Sequence, residues 1–406
     1  MRLRRLFFKN LRNHPCTDLE AAEGVNVITG LNGEGKTTIL EAIAICTLTR
    51  SFVGTQDAFL VRRGEKGFEA KIEGISDYSA PHRIEVRYDA GLGKSITLDG
   101  GSAANAAQVI GTAPTVVLSP DLKAITNGAP SERRRFIDMV ISQAKRRYLE
   151  ELMQYRRILK QRNALLANAR RHGRKLDRAL IEPWDEGLIE RAAHLMHERA
   201  LFLREFEPIF KATAAEVATG ADAVDIRYAP DSAREALGGV ADYRDALWLR
   251  SQQVWAEEQR RGTTLFGAHR DDLRMEINGG DVRVSASQGQ HKTLLIGLKI
   301  AEFHYLATQC AETPIILLDD IFGELDARRA ERVYDLTRNL AQTFITAASM
   351  DLLPFLRGRR LASGEARFRV EGGRVAEGAY ADRDLDVAAL QPAEVESAGA
   401  TEDNDE

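Results

Sequence analysis

The sequence predicts an α/β head of mixed sheets, split by an inserted, mainly helical lid domain. Three observations carry this. Near the N-terminus an apolar strand, Val25-Asn26-Val27-Ile28, runs through a glycine-rich loop into a helix with Ile39, Leu40, Ile43 and Ala44 at helical spacing. Near the C-terminus Ile315-Ile316-Leu317-Leu318-Asp319-Asp320 is a continuous apolar run ending in two carboxylates, the pattern of a parallel strand buried on both faces. From Ser131 onward the stretch between them turns to helical periodicity.

Taken in order, Arg2 to Gly100 reads as short strands around the glycine loop and its helix, including His82 to Tyr88 and Lys94 to Leu98. Thr115 to Leu118 is a further strand, leading to Ser119-Pro120. In the helical block Tyr148, Leu152, Tyr155 and Leu159 share one helix face. Further helices are expected over Trp184 to Val217 and Tyr243 to Arg261, with strand-like Val224 to Tyr228 between. Strand character returns at Leu273 to Ile277, and a long helix follows Ser285. The chain thus divides into an N-terminal head part (1–118), a helical lid (119–262), a C-terminal head part (263–378) and a tail (379–406).

The chain has 406 residues and a formal net charge of -4. Such a length buries a sizeable core and suggests two domains. Cys16, Cys46 and Cys310 are scattered without metal or disulfide spacing, which fits a reducing compartment and argues against a zinc site. No apolar stretch approaches the ~20 residues that span a bilayer, so no membrane partner is expected. The charge is uneven. From Ala381 to Glu406 there are nine acids and one arginine without apolar periodicity, which reads as disordered. From Ser131 to Arg178 there are fifteen lysines or arginines against five acids, an excess that favours a polyanion. Within it Arg156, Arg157 and Lys160 are candidate contacts to that polyanion.

Gly30-Leu31-Asn32-Gly33-Glu34-Gly35-Lys36-Thr37-Thr38 fits the pattern G-x-x-x-x-G-K-[ST]. Glycines let backbone N–H groups close around phosphates, and the helix N-terminus adds partial positive charge. Lys36 is expected to reach the β- and γ-phosphates of ATP and Thr37 to ligate Mg²⁺, with Gly30, Asn32, Gly33, Glu34, Gly35 and Thr38 completing the loop. Asp319 is the expected acidic ligand of Mg²⁺, and Asp320 the group that orients or deprotonates the attacking water.

Ser285-Ala286-Ser287-Gln288-Gly289-Gln290 stands before the acid-ended strand, and Gly323-Glu324-Leu325-Asp326 after it. This order resembles the signature motif and D-loop of ABC-type ATPases, which implies an ATP-sandwiching dimer. In it Ser287, Gly289, Gln290 and Asp326 act on nucleotide held by the second subunit. Asp320 stands where many ABC-type ATPases have a glutamate, and its shorter side chain implies slow hydrolysis. SMC-type heads carry a coiled coil of hundreds of residues at the position of this short insertion. Phe8-Lys9-Asn10-Leu11-Arg12-Asn13-His14, Arg133-Arg134-Arg135-Phe136-Ile137-Asp138 and Gly267-Ala268-His269-Arg270-Asp271-Asp272 narrow the resemblance to the RecF family, over about residues 1 to 375. Gly323 and Ala268 depart from the serine and proline usual there, and His291-Lys292 from Gln-Arg.

The resemblance implies a cytoplasmic, nucleoid-associated protein with weak, DNA-stimulated ATPase activity. It would bind double-stranded DNA in an ATP-dependent way, which makes DNA the polyanion for Arg156, Arg157 and Lys160. It would also recognise single-stranded gaps, and work with RecR and RecO to load RecA. Arg12 and Asn13 match a pair that touches nucleotide in SMC-like heads. His269, Asp271 and Asp272 are expected to brace the head rather than hold a metal. An SMC-like chromosome-organising head is the alternative; a transporter ATPase would normally lack the basic insertion.

Overall fold

The computed structural model describes residues 1–218, 222–232, 238–356 and 364–377, so the expected acidic tail, 379–406, lies outside the described residues. Strands β1 (Arg2–Leu11) and β2 (His14–Glu20) form a hairpin, and β3 (Val25–Thr29) leads through the glycine loop into helix α1 (Lys36–Leu48). With β4 (Gly67–Ile75), β5 (Pro81–Asp89), β6 (Gly93–Leu98) and β7 (Gly101–Ser102), the hairpin makes an antiparallel sheet ordered β2-β1-β4-β5-β6-β7. Alternate residues of β4, Phe68, Ala70 and Ile72, are buried, the period of a sheet covered on one face.

After β8 (Thr115–Leu118) come α2 (Ala124–Asn127), α3 (Pro130–Ala144), α4 (Arg146–Arg171), α5 (Arg178–Val217), β9 (Val224–Ala229) and α6 (Val240–Arg261). The chain then returns through β10 (Asp272–Ile277), β11 (Gly280–Asp281), α7 (Val282–Ser285), α8 (Gln288–Gln309), β12 (Ile315–Asp319), α9 (Ala327–Leu340) and β13 (Thr343–Ala347) to the hairpin of β14 (Ala366–Glu371) and β15 (Arg374–Glu377). A second sheet is ordered β15-β14-β3-β13-β12-β8, parallel from β14 to β8. Its strands separate two cores. Ile315 and Leu317 of β12 pack with α1 and the antiparallel sheet, whereas Ile316 and Leu318 pack with α8 and the inserted helices. That double burial is why the strand reads as an unbroken apolar run.

The expected helix over Trp184 to Val217 begins earlier, at Arg178, and contains Pro183 and Pro208. Pro183 mimics a helix boundary in sequence because it lacks an N–H, yet here it falls in the second turn of α5. The insertion is joined tightly to the head. Strand β9, within 119–262, pairs with β10, within 263–378, Ile226 opposite Met275. Helix α5 runs so close to α8 that a Cβ on Gly297 would lie 2.8 Å from Ala214 Cα. Two buried arginines seal the joint: Arg133 pairs with Asp272 at 2.8 Å, and Arg199 with Asp138 at 2.8 Å and Asp271 at 2.9 Å. A third, Arg162, ties the insertion to itself, pairing with Asp185 and Glu258 at 2.7 Å each.

Candidate functional site

The glycine loop, the end of β12 and the turn after β1 surround a cleft of about 480 Å³. Asn32, Gly33, Gly35, Lys36, Thr37 and Thr38 line it, with Asp319 and Asp320 opposite and Arg12 and Asn13 beside them. Lys36 Nζ donates to the carbonyls of Gly30 at 2.7 Å and Leu31 at 3.0 Å. Burial holds this ammonium below its ordinary pKa, while Asp320, Asp319 and Glu34 pull it the other way. Gly35 has φ 106°, and a Cβ there would lie 2.4 Å from His14 Nε2, so only glycine fits.

That histidine is a residue the sequence reading missed. His14 is fully buried, with Nδ1 2.8 Å from Thr17 Oγ1 and Nε2 3.0 Å from the Gly35 carbonyl. Burial pushes it down to about 4, so it stands neutral behind the loop as a strut. Also missed was the β14–β15 turn. Gly373 N–H donates to the Glu34 carbonyl at 3.1 Å and Gly372 N–H to the Glu34 carboxylate, while Asn13 Nδ2 donates to the same carbonyl at 2.8 Å. Glu34, expected among the ATP-binding residues, therefore turns its side chain to the hairpin, and neither it nor Gly30 lines the cleft. The Gly372-Gly373 pair between Val370 and Val375 was the available signal. Arg12 is fixed by a two-pronged bond to buried Glu41, at 2.6 and 2.8 Å. Val53 and Asp121, also unforeseen, complete the lining.

Thr37 Oγ1 donates to Asp319 Oδ1 at 2.9 Å, and Thr346 Oγ1 donates to the same oxygen at 2.8 Å. Burial pushes the Asp319 carboxyl up against those two bonds, and the charges of Asp320 and Glu41 add to the rise. A cation between Thr37 and Asp319 would relieve that charge. A hydroxyl beside a carboxylate, with room for water and phosphate, fits the oxygen donors Mg²⁺ takes. Asp320 sits in the left-handed region at φ 49°, its N–H donating to Thr346 Oγ1 at 2.9 Å. Such a conformation costs on the order of 1 kcal/mol for a residue with a side chain.

The signature residues stand apart from this cleft. Ser287 caps α8: its Oγ accepts from Gln290 N–H at 3.2 Å, and Gln290 Oε1 accepts from Ser287 N–H at 2.8 Å. Asp326 caps α9, accepting from Arg329 N–H at 3.0 Å. None of Ser287, Gly289, Gln290 or Asp326 lines the cleft. Glu324, in the D-loop, ties the region together through Lys123 Nζ at 2.5 Å, while its carbonyl accepts from Lys292 Nζ.

Of the expected DNA contacts, Arg157 and Lys160 are exposed on α4, and Arg156 is exposed but paired with Asp138 at 3.1 Å. Arg133 and Arg162 are wholly structural, so part of the basic excess faces inward. Asp271 accepts from Arg199 and from Tyr228 Oη at 2.5 Å, and His269 Nδ1 lies 2.6 Å from Tyr155 Oη. Burial pushes Asp271 up to about 6 and His269 down to about 4. The block braces the joint between lid and head, and no helix among the described residues is long and apolar enough to cross a membrane.

Residues 2–355 match the model of the RecF/RecN/SMC N terminal domain. The DNA replication and repair protein RecF of Prosthecochloris aestuarii is 39% identical over 366 residues, covering 88% of this chain and 96% of the relative. A solved structure of the recombination mediator protein RecF with ATP, from the RecFOR pathway, is 30% identical with a TM-score of 0.84, covering 93% of this chain and 98% of that one. An Smc head bound to the C-winged helix domain of ScpA shares the fold at 14% identity and a TM-score of 0.52, covering 93% of this chain and 98% of that chain.

Proposed function

We propose, since this chain belongs to the RecF family of DNA replication and repair proteins, that it is an ATP-dependent DNA-binding protein of recombinational repair. In this reading ATP drives a homodimer that binds duplex DNA at single-strand gaps and, with RecR and RecO, promotes RecA loading. The observation that carries it is the separation of the two halves of an ATP site: a phosphate-side cleft, and a signature helix whose capped N-terminus contributes nothing to its lining.

The residues have distinct parts in that mechanism. Lys36 and the loop N–H groups hold the phosphates, Thr37 and Asp319 would hold Mg²⁺, and bound Mg²⁺ would neutralise charge on the phosphates. Arg12, oriented by Glu41, adds charge at the rim of the cleft. Asp320, kept in place by Thr346, is the acceptor for the proton of the attacking water. Ser287 and Gly289 meet the partner's γ-phosphate through the helix N-terminus. Arg157 and Lys160 contact the DNA backbone, so binding is independent of sequence and falls with salt.

Fluorescence anisotropy with gapped, duplex and single-stranded DNA, each with and without ATP, tests the reading. Gapped DNA should bind tightest, and only with ATP. Arg157→Glu with Lys160→Glu should weaken all duplex binding and reduce the salt slope by about 2, at about 0.9 per phosphate. Equal binding without ATP would remove the dimer from the mechanism, and an unchanged salt slope would move the DNA path off α4.

A further inference from the structure

Beside the nucleotide cleft lies a separate cavity of about 170 Å³, between the end of α1, β8 and α3. It shares Val53 and Asp121 with the cleft but none of the phosphate-loop residues. Its wall includes Leu48, Phe52, Ile125, Phe136 and Met139. Beside these apolar side chains is set Arg50. Among the described residues its guanidinium donates only to Met139 Sδ, at 3.8 Å, and forms no ion pair. A second guanidinium, Arg135, stands on the exposed rim, close enough that a Cβ on Gly54 would lie 3.5 Å from it.

The other charges nearby do not settle Arg50. Asp138 draws on it from a distance but already accepts from Arg199, Tyr148 and Arg156. Glu302 is held by Lys299 at 2.6 Å, and Asp121 and Glu132 on the wall are not paired with Arg50. Burial, then Arg135 and Arg156, push Arg50 down to about 10. A half-buried cation without an ion pair, with a second guanidinium lining the same cavity, is costly unless an anion meets it. A wall that served packing alone would be better made with a leucine or methionine.

We propose that this cavity binds a small amphipathic anion, with a single phosphate or carboxylate against Arg50 and Arg135 and an apolar body about the size of one aromatic ring inside. The volume suits such a body, since a dry cavity of about 150 Å³ lined by aliphatic and aromatic side chains takes up benzene. A ligand there touches the wall that the nucleotide cleft shares, through Val53 and Asp121.

The test is calorimetric titration of the full chain, with and without saturating ATP and Mg²⁺, with phenyl phosphate, benzoate and inorganic phosphate in turn. At least one of the two aromatic acids should bind, at least tenfold more tightly than inorganic phosphate. Arg50→Met should weaken that binding at least about tenfold, the loss expected when a charge-assisted hydrogen bond goes. The same variant should melt no lower than the parent, because it removes an unpaired cation from beside apolar side chains. The proposal fails if neither acid binds, if ATP displaces them, if inorganic phosphate binds as well, or if Arg50→Met binds equally. A clearly lower melting temperature for Arg50→Met would also overturn it, by making the arginine a structural part.

Discussion

The Lys36 ammonium donates to loop carbonyls at the lining of the cleft and forms no ion pair among the described residues, so its charge is available to phosphate rather than used in packing. Lys36→Met should therefore keep its melting temperature and lose ATP-dependent dimerisation, read by size-exclusion chromatography with and without ATP; a mutant that still dimerises would end the phosphate-clamp role. Two other side chains set how the protein meets acid. His14 and His269 stay neutral down to about 4, below the unfolded value of about 6.5, so the unfolded chain takes up two protons that the folded chain refuses. Asp271 works in the opposite sense, since its folded pKa of about 6 lies above the unfolded value and protonation there favours the folded state. Between about pH 6 and 4.5 the three groups together leave one proton in favour of unfolding, a loss of about 1.4 kcal/mol per pH unit. In urea titrations across that range His14→Gln should flatten the contribution; an unchanged slope would show that His14 does not titrate as a buried neutral group.

At the scale of elements, Ser287 has two duties that substitution separates. As the N-cap of α8, its loss in Ser287→Ala should cost about 1 kcal/mol of stability, measured by denaturant melts. Ser287→Arg should in addition block ATP-dependent dimerisation while leaving ATP affinity of the monomer intact, because the residue lies outside the cleft. Loss of monomer ATP binding would place the signature in its own pocket and end the model of action in trans. The glycine loop before α1, the acid-ended strand β12 and the capped start of α8 were legible because each is written in a local pattern of glycines, apolar runs and caps. His14, the Gly372-Gly373 turn, Val53 and Asp121 were not, since their roles arise from neighbours far away in sequence. Likewise Arg133 and Arg162 look in sequence like any other member of a basic run, and only the positions of Asp272, Asp185 and Glu258 turn them inward.

For the whole molecule, the joint between lid and head depends on Arg199, which serves Asp138 and Asp271 at once. Arg199→Met leaves two carboxylates buried without their cation and should cost about 3–5 kcal/mol, measured by urea unfolding. A loss under about 1 kcal/mol would mean that the apolar contacts of α5 and α8 alone hold the joint. The sheet order has a consequence for how the protein is made. Strand β3, which carries the phosphate loop, lies between β13 and β14, and the loop itself is held by the turn that follows β14. A ribosome must add about 340 residues after β3 before those neighbours exist, roughly 20–70 s at ordinary elongation rates. Until then the growing chain lacks the neighbours that hold the phosphate loop, so in the proposed mechanism an unfinished copy could not use nucleotide to pair with a finished one or to settle on DNA.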